Sequence, residues 1–135
     1  MPATLLLASG SATRARLLQS AGVPFEAIPP RVDEAALRAA LQADGMSPRD
    51  MADALAEAKA RKVAGRFPSA FVLGGDQVAE HDGRVIAKPQ SPDDALGQLR
   101  SLAGRRHSLH SAAVLYEEGR PTWRVVSTAR LTMRP

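Results

Sequence analysis

Residues 4–18 contain a short apolar run, then a turn of small residues, then a helical repeat. The three leucines at 5–7 form an apolar run of strand length. The Ser-Gly-Ser sequence at 9–11 favours a tight turn and supplies a helix N-cap. Leu17, Leu18 and Ala21 follow at helical spacing. The segment therefore predicts a buried strand that turns sharply into a helix.

Arg14 is expected on the same inward face of this helix as Leu17 and Leu18. A cation near a helix N-terminus is unfavourable against the helix dipole unless an anion lies nearby. Free backbone amides, two hydroxyls and an arginine at a strand-to-helix turn suit a phosphate group. The alternative is a capped helix whose arginine extends along the surface into solvent. The segment leaves both interpretations open.

The composition narrows the class of protein. The 135 residues are enough for one domain with a hydrophobic core. The absence of cysteine excludes disulfides, thiolate nucleophiles and cysteine-ligated zinc. No segment resembles a signal peptide or a membrane span, so a cytoplasmic location and no membrane partner are expected.

The charge points to an anionic partner. The formal net charge is +4, but the arginines are spread along the chain and the aromatic residues are only three Phe, one Tyr and one Trp. This pattern favours a phosphorylated small molecule over a nucleic acid. A weak nucleic-acid-binding protein is an alternative that the charge alone motivates, and its binding would fall steeply with salt.

Three further helices are predicted from their capping residues. Asp33 caps a helix that Gly45 closes. Ser47 and Ser91 each precede a proline and stand three residues before an aspartate, which is a strong helix start. The expected helices cover about residues 33–45, 47–65 and 91–104.

The other apolar runs predict strands. A buried strand at 70–73 is expected to end in Gly74, Gly75 and Asp76. A hairpin from 77 to 88 is expected to turn at the Asp-Gly pair of 82–83. The remaining strands are expected at 25–28, 107–116 and 122–133.

Asp76 is the strongest single candidate for chemistry. It follows the buried strand through Gly74 and Gly75, where the backbone can approach a ligand closely. In α/β proteins, ligands collect at the carboxyl ends of such strands. The alternative is an aspartate that only stabilises a turn.

Lys59 is a second candidate because it falls within an apolar helix face. A lysine in such a position must extend to the surface, pair with an acid or contact an anion. Extension to the surface is the commoner outcome. The other residues of this face are Ala52, Leu55, Ala56 and Val63.

Lys88, Asp33 and Glu34 are weaker candidates. Lys88 precedes a proline and is expected to end the second hairpin strand, from which it could point back toward Asp76. Asp33 and Glu34 are most simply a helix cap and a first-turn acid, although one of them could help to hold a metal. The three histidines lack the spacing of a metal-binding trio and are interpreted as structural or surface residues: His81, His107 and His110.

The candidates together mix cations, namely Arg14, Lys59 and Lys88, with carboxylates. Cations alone would suit a phosphate-binding module. Carboxylates beside phosphates repel them unless a divalent cation bridges the two. The mixture is therefore typical of metal-assisted phosphoryl chemistry.

Six short motifs follow one another along nearly the whole chain. They are Leu-Ala-Ser-Gly-Ser at 7–11 with Arg14, Val-Asp-Glu at 32–34, Leu-Ala-Glu-Ala-Lys-Ala at 55–60, Gly-Gly-Asp-Gln-Val at 74–78, Lys-Pro at 88–89, and Leu-Ala-Gly at 102–104 with His107. No single motif is decisive, but the ordered set resembles the Maf-like nucleoside triphosphate pyrophosphatases, also called septum formation proteins. The chain is identified as a member of that family.

This resemblance implies a fold and an activity. The fold is α/β, a Maf/ITPase-like elongated mixed sheet flanked by helices, with a cleft between two lobes and usually in a homodimer. The activity is hydrolysis of the bond between the α- and β-phosphates of modified or non-standard nucleoside triphosphates, with Mg²⁺ or Mn²⁺. The products are a nucleoside monophosphate and pyrophosphate, and no stable nucleic-acid partner is expected.

The resemblance also implies roles for individual residues. Asp76 resembles the catalytic carboxylate that activates water or helps to hold the metal. Glu34 resembles a further acidic site residue and a second metal ligand. The phosphate-binding groups are Ser9, Arg14, Lys59 and Lys88.

Some positions depart from the common family pattern. Ala12 and Thr13 stand where many members have a proline and the first of two arginines. Gln77 follows Asp76 where a threonine is common, and Asp-Gln is similar to the subgroup that acts on 7-methyl-GTP, as is Val-Asp-Glu at 32–34. Ala87 replaces a frequent glycine. The base that the protein prefers is therefore left open between 7-methyl-GTP and other nucleotides.

The domain organisation is expected to be a single Maf-like domain over residues 1–135, without the C-terminal segment that the family normally has. That segment holds a site glutamine or glutamate and a Gly-Leu-Pro sequence. The alternative to an active enzyme is therefore a catalytically weak or inactive nucleotide-binding or regulatory module.

Overall fold

The computed structural model describes residues 4–135, which form a mixed six-stranded sheet flanked by helices. The strands are β1 (Leu5–Ala8), β2 (Glu26–Ala27), β3 (Phe71–His81), β4 (Arg84–Ile86), β5 (Arg106–Glu117) and β6 (Arg120–Thr132). The helices are α1 (Ala12–Ser20), α2 (Glu34–Ala43), α3 (Pro48–Ala64) and α4 (Pro92–Leu102). The α/β class that the sequence predicts is confirmed.

The sheet is parallel on one side and antiparallel on the other. Its order is β2-β1-β3-β5-β6, and β4 also pairs with β3. β1 is parallel to both β2 and β3, whereas β3, β5 and β6 are antiparallel neighbours. The long β3 is therefore shared between the parallel and the antiparallel halves. None of the helices within residues 4–135 combines the length and the apolar character that a bilayer crossing needs.

The core lies between α3 and one face of the β3–β5 pair. Side chains of β3 and β5 alternate between the two faces of the sheet, so every second one faces α3. The apolar side chains on this face form the sheet side of the core. The predicted apolar face of α3 is confirmed, because Ala52, Leu55, Ala56 and Val63 are all fully buried. By contrast, neither α1 nor α2 buries any of its side chains completely.

Local capping chemistry explains the helix starts. The four N-cap side chains each accept a hydrogen bond from a backbone N–H three residues later, and they are Ser11, Asp33, Ser47 and Ser91. The predicted hairpin turn is also confirmed, because Asp82 and Gly83 have φ of 51° and 78°. Positive φ at both central residues is the geometry that an Asp-Gly pair favours between two antiparallel strands.

Four local predictions differ from the structure. β3 does not end in Gly74, Gly75 and Asp76 but continues to His81, because β5 hydrogen-bonds with it from Val72 to Glu80. β4 ends at Ile86, so Lys88 does not end a hairpin strand. The predicted inward face of α1 is only partly present, since Arg14 and Leu18 are half-buried but Leu17 is 66% exposed. The strand expected at 25–28 is reduced to Glu26–Ala27.

Candidate active site

A gap in strand pairing along one edge of β3 positions the candidate site. On this edge β1 pairs with β3 up to Gly74, and β4 begins to pair at Ala79. Within residues 4–135, positions 75–78 therefore have a strand partner only on the β5 side. We call this stretch the β3 gap. Backbone groups that a sheet leaves unpaired are available to a ligand.

Asp76 lies in the β3 gap and is bound to Lys59. Asp76 Oδ1 accepts a hydrogen bond of 2.8 Å from Lys59 Nζ, which α3 carries over the same face of the sheet. Lys59 Nζ also lies 2.9 Å from Glu34 Oε1, in the first turn of α2. Lys59 thus pairs with acids instead of extending to the surface. The predicted cation and the two predicted carboxylates are brought together by three different elements.

Arg38 is a fourth member of this group and was not among the residues predicted from the sequence. Its Nη2 lies 3.5 Å from Asp76 Oδ2 and 3.9 Å from Glu34 Oε1. The signal that could have found it is its spacing, because it stands one helical turn after Glu34. We call Glu34, Arg38, Lys59 and Asp76 the ion cluster.

Burial and charge act differently on the two carboxylates of the ion cluster. Asp76 is 4% exposed, and this burial raises its pKa above the ordinary value although Lys59 and Arg38 act in the opposite direction. Burial alone would also raise the pKa of Glu34, but the hydrogen bond and charge of Lys59, together with Asp76 and Arg38, lower the pKa. Two neighbouring carboxylates therefore differ in proton affinity, an arrangement that is common where acid–base chemistry occurs.

Ser9 and Arg14 form a second group at the β3 gap. Ser9 is buried at the end of β1, and its Oγ accepts hydrogen bonds from the Ser11 backbone N–H at 3.0 Å and from Arg14 Nη1 at 3.4 Å. The Arg14 side chain lies over Gly75, where an added Cβ would be 3.3 Å from its Cδ. Successive residues of a strand face opposite sides of the sheet, so Gly75 and Asp76 belong to opposite faces of β3. The Ser9–Arg14 group therefore lies on one face of the sheet at the β3 gap, and the ion cluster lies on the other.

Two of the weaker candidates lie outside this arrangement. Lys88 is exposed after β4 and makes no ion pair within residues 4–135. Asp33 caps α2, where its Oδ1 accepts a hydrogen bond from the Ala36 N–H at 3.1 Å. Lys88 is therefore not paired with a carboxylate of the ion cluster, and its role in phosphate binding stays a prediction.

Two of the three histidines make contacts that connect parts of the sheet. His110 is buried, with Nε2 2.6 Å from Glu80 Oε1 and Nδ1 2.8 Å from Thr128 Oγ1. His81 Nδ1 lies 3.2 Å from the Arg106 carbonyl oxygen. Across residues 4–135, no group of three or more His, Asp or Glu side chains is placed to hold a metal ion.

The carboxylate pair nevertheless has the chemistry of a divalent-cation site. Asp76 and Glu34 both direct oxygens at the same two cationic groups, those of Lys59 and Arg38. Mg²⁺ is commonly held by one or two carboxylates, with water and substrate phosphates completing its octahedron. The residues present fit such an ion if the substrate and water supply the other ligands.

The fold and the site define a class of protein: an α/β domain with a hydroxyl, cations and carboxylates around a break in a mixed sheet. The profile of the family described as "Maf-like protein" matches residues 4–135. The chain belongs to this family, and the assignment made from the six motifs is confirmed.

Curated relatives agree with the family assignment. A protein of Ruegeria pomeroyi named "Nucleoside triphosphate pyrophosphatase" is 55% identical over 134 residues, covering 99% of this chain and 67% of that protein. A protein of Rhizobium meliloti named "7-methyl-GTP pyrophosphatase" is 50% identical over 135 residues, covering 100% of this chain and 68% of that protein. The chain thus spans about two thirds of the length of these relatives.

A solved structure shares the fold at low sequence identity. The structure of a HAM1 protein from Coxiella burnetii superposes with a TM-score of 0.58 and 15% identity, covering 96% of this chain and 71% of that one. This likeness confirms the mixed sheet flanked by helices that the sequence predicts for a Maf/ITPase-like fold.

Proposed function

We propose that this protein is a nucleoside triphosphate pyrophosphatase, which hydrolyses the bond between the α- and β-phosphates to release a nucleoside monophosphate and pyrophosphate. The observation that carries the proposal is the buried Asp76–Lys59 pair at the β3 gap, flanked by Ser9 and Arg14. Relatives that are 50–55% identical carry the names of such enzymes. Nucleic-acid binding lacks comparable support, because Lys59 and Arg38 are paired with acids and few aromatic side chains are available to stack on bases.

In this proposal, the cations and the hydroxyl of the site bind phosphate, and the buried carboxylate activates water. Ser9 and Arg14, beside the start of α1, would bind phosphate oxygens, since hydroxyls, free amides and a guanidinium all donate hydrogen bonds to anions. Asp76 would orient and deprotonate the attacking water, because its raised pKa makes it a stronger base than an ordinary aspartate. Lys59 would hold Asp76 in place and offset phosphate charge.

The proposed cofactor is Mg²⁺ or Mn²⁺. Asp76 and Glu34 would hold the ion. When bound, it would neutralise phosphate charge and polarise the phosphoryl group under attack. Glu34 suits this role because its lowered pKa favours the ionised carboxylate, which is the form that binds a cation.

The proposed substrates are modified nucleotides, with 7-methyl-GTP as the first candidate. The basis is the Asp76-Gln77 pair and the name of the Rhizobium meliloti relative. Gln77 is exposed in the β3 gap, and its Nε2 donates a hydrogen bond of 2.9 Å to Ser111 Oγ. The homodimer and the cytoplasmic location that the family resemblance implies belong to this proposal, and light scattering of the purified protein would measure the oligomeric state.

Pyrophosphate release from a nucleotide panel tests the proposal. The panel contains 7-methyl-GTP, GTP, dTTP, UTP and CTP, each with Mg²⁺ or Mn²⁺. Release of pyrophosphate from one nucleotide class would establish the activity and name the substrate. Nucleotide binding by calorimetry without any release would instead support the nucleotide-binding module. The proposal would be refuted if neither this chain nor a version of the relatives' full length bound a nucleotide or released pyrophosphate.

A further inference from the structure

Arg38 makes weaker contacts with the carboxylates than Lys59 does. The two Lys59 contacts are 2.8 and 2.9 Å, whereas those of Arg38 are 3.5 and 3.9 Å. The Arg38 side chain is also the more exposed of the two, at 29% against 11%. Lys59 is fixed within the apolar face of α3, while Arg38 extends from α2, a helix without a fully buried side chain. Of the two cations, Arg38 is therefore the one that can leave with less disruption.

Arg38 faces both carboxylates that could hold a metal. Its Nη2 donates a hydrogen bond of 3.5 Å to Asp76 Oδ2, whereas Lys59 Nζ donates to Asp76 Oδ1. It also lies near Glu34 Oε1. A divalent cation bound to Asp76 and Glu34 would meet the positive charge of Arg38 at short range, so the two compete for the same negative charge.

The formal charges of the ion cluster cancel before any ligand binds. Glu34 and Asp76 carry two negative charges, and Arg38 and Lys59 carry two positive charges. Addition of a divalent cation would leave the cluster with an excess of positive charge. A triphosphate removes that excess, and a guanidinium is well shaped to bind phosphate oxygens through two parallel hydrogen bonds.

We propose that Arg38 occupies, before metal and substrate bind, the place on Asp76 and Glu34 that a divalent cation takes during the reaction, and that the released guanidinium binds the substrate's phosphates. This inference rests on the proposed function and adds to it a positively charged residue that exchanges partners. Metal binding and substrate binding are linked in this scheme, because Arg38 loses its contacts with the carboxylates when the metal binds and gains contacts with the phosphates when the triphosphate binds.

The test compares Mn²⁺ binding without nucleotide in the wild type, Arg38→Met and Arg38→Lys. Calorimetry is expected to show Mn²⁺ binding about tenfold tighter in Arg38→Met, because the competing charge is gone, and nearly unchanged in Arg38→Lys. Both variants should lose about tenfold or more in kcat/KM, since neither can form a bidentate contact with phosphate. Arg49→Met, at an exposed position at the start of α3, is the matched control and should change neither quantity.

Unchanged or weaker Mn²⁺ binding in Arg38→Met would overturn the exchange with a metal. Tighter Mn²⁺ binding with wild-type kcat/KM would overturn the contact with substrate. If Arg38 had only a structural role, Arg38→Met would show both a lower melting temperature and weaker Mn²⁺ binding. Arg38→Gln would then repeat the Mn²⁺ comparison with a polar side chain. If the wild type hydrolyses no nucleotide, the proposed function fails, while the Mn²⁺ comparison still decides whether Arg38 competes with a metal.

Discussion

Gly74 and Ala56 lie so close together that a Cβ on Gly74 would stand 2.2 Å from the Ala56 carbonyl oxygen. The missing side chain is what allows α3 to rest directly on β3. Asp76 is two residues further along the same face of the strand, and Lys59 is one turn further along the helix. The close approach of backbone to backbone therefore sets the distance at which Lys59 reaches Asp76.

The first prediction concerns this contact. Gly74→Ala should lower the free energy of unfolding by at least about 3 kcal/mol, because the new methyl group meets a backbone carbonyl that cannot rotate away. Gly97→Ala is the matched control, since an added Cβ there has nothing within 4 Å and α4 should gain about 0.5–1 kcal/mol. Urea unfolding measures both variants. Equal stabilities for the two alanine variants would contradict the close approach of α3 and β3.

The second prediction concerns the charge that Lys59 places beside Asp76. Lys59→Met should lower the free energy of unfolding by about 3 kcal/mol near neutral pH, because it leaves a buried carboxylate without its main partner. Lys62→Met, exposed on the same helix, should change it by less than about 0.5 kcal/mol.

The loss in Lys59→Met should also depend on pH. Without Lys59, burial raises the pKa of Asp76 with less opposition, so the folded variant holds a proton that the unfolded chain releases. The folded state then binds more protons than the unfolded state, and stability falls as the pH rises. Unfolding at pH 5 and pH 8 should therefore show the larger loss at pH 8, and a loss independent of pH would contradict this account of Asp76.

The third prediction tests the role of Asp76 in the proposed reaction. Asp76→Asn keeps the shape of the side chain and should lower the rate of pyrophosphate release by about 10²–10³-fold. Asp82→Asn is the control, because asparagine tolerates the positive φ of that hairpin turn. Full activity in Asp76→Asn, with a wild-type melting temperature, would show that Asp76 does not activate the water.

The fourth prediction separates His110 from the proposed metal chemistry. His110 links β3 to β6 through Glu80 and Thr128, so His110→Leu should cost about 1–3 kcal/mol of stability by leaving a polar group unpaired. Calorimetry should show the Mn²⁺ affinity of the folded variant unchanged. A large loss of Mn²⁺ affinity would show that this histidine belongs to the metal site after all.

The sequence predicts the helices well where the start of each helix depends on its own side chains. Ser47 and Ser91 specify their helices because a hydroxyl beside the first turn satisfies a backbone N–H locally. The turn at Asp82 and Gly83 is predictable for the same reason, since its geometry depends on two residues only. Asp76 and Lys59 were predictable as unusual positions, but their contact depends on residues far apart in the chain.

The course of β3 was not predictable from local residues. The pair of Gly74 and Gly75 is typical of a turn, but here each glycine makes room for another element, Gly74 for α3 and Gly75 for the Arg14 side chain. Pairing with β5 then carries the strand through both glycines. Arg38 was missed for a related reason. Its position on α2 suggests a solvated residue, and only the packing of α2 beside α3 brings it to Asp76.

The position of Asp76 within an eleven-residue strand separates the stationary parts of the site from the adjustable ones. β3 is held along one side by β5, and α3 is anchored by its buried side chains, so Asp76 and Lys59 form a rigid base. Arg14, Glu34 and Arg38 instead stand on α1 and α2, which are more lightly anchored. Any closing movement around a nucleotide would therefore come from these two helices, while Asp76 and Lys59 keep their positions.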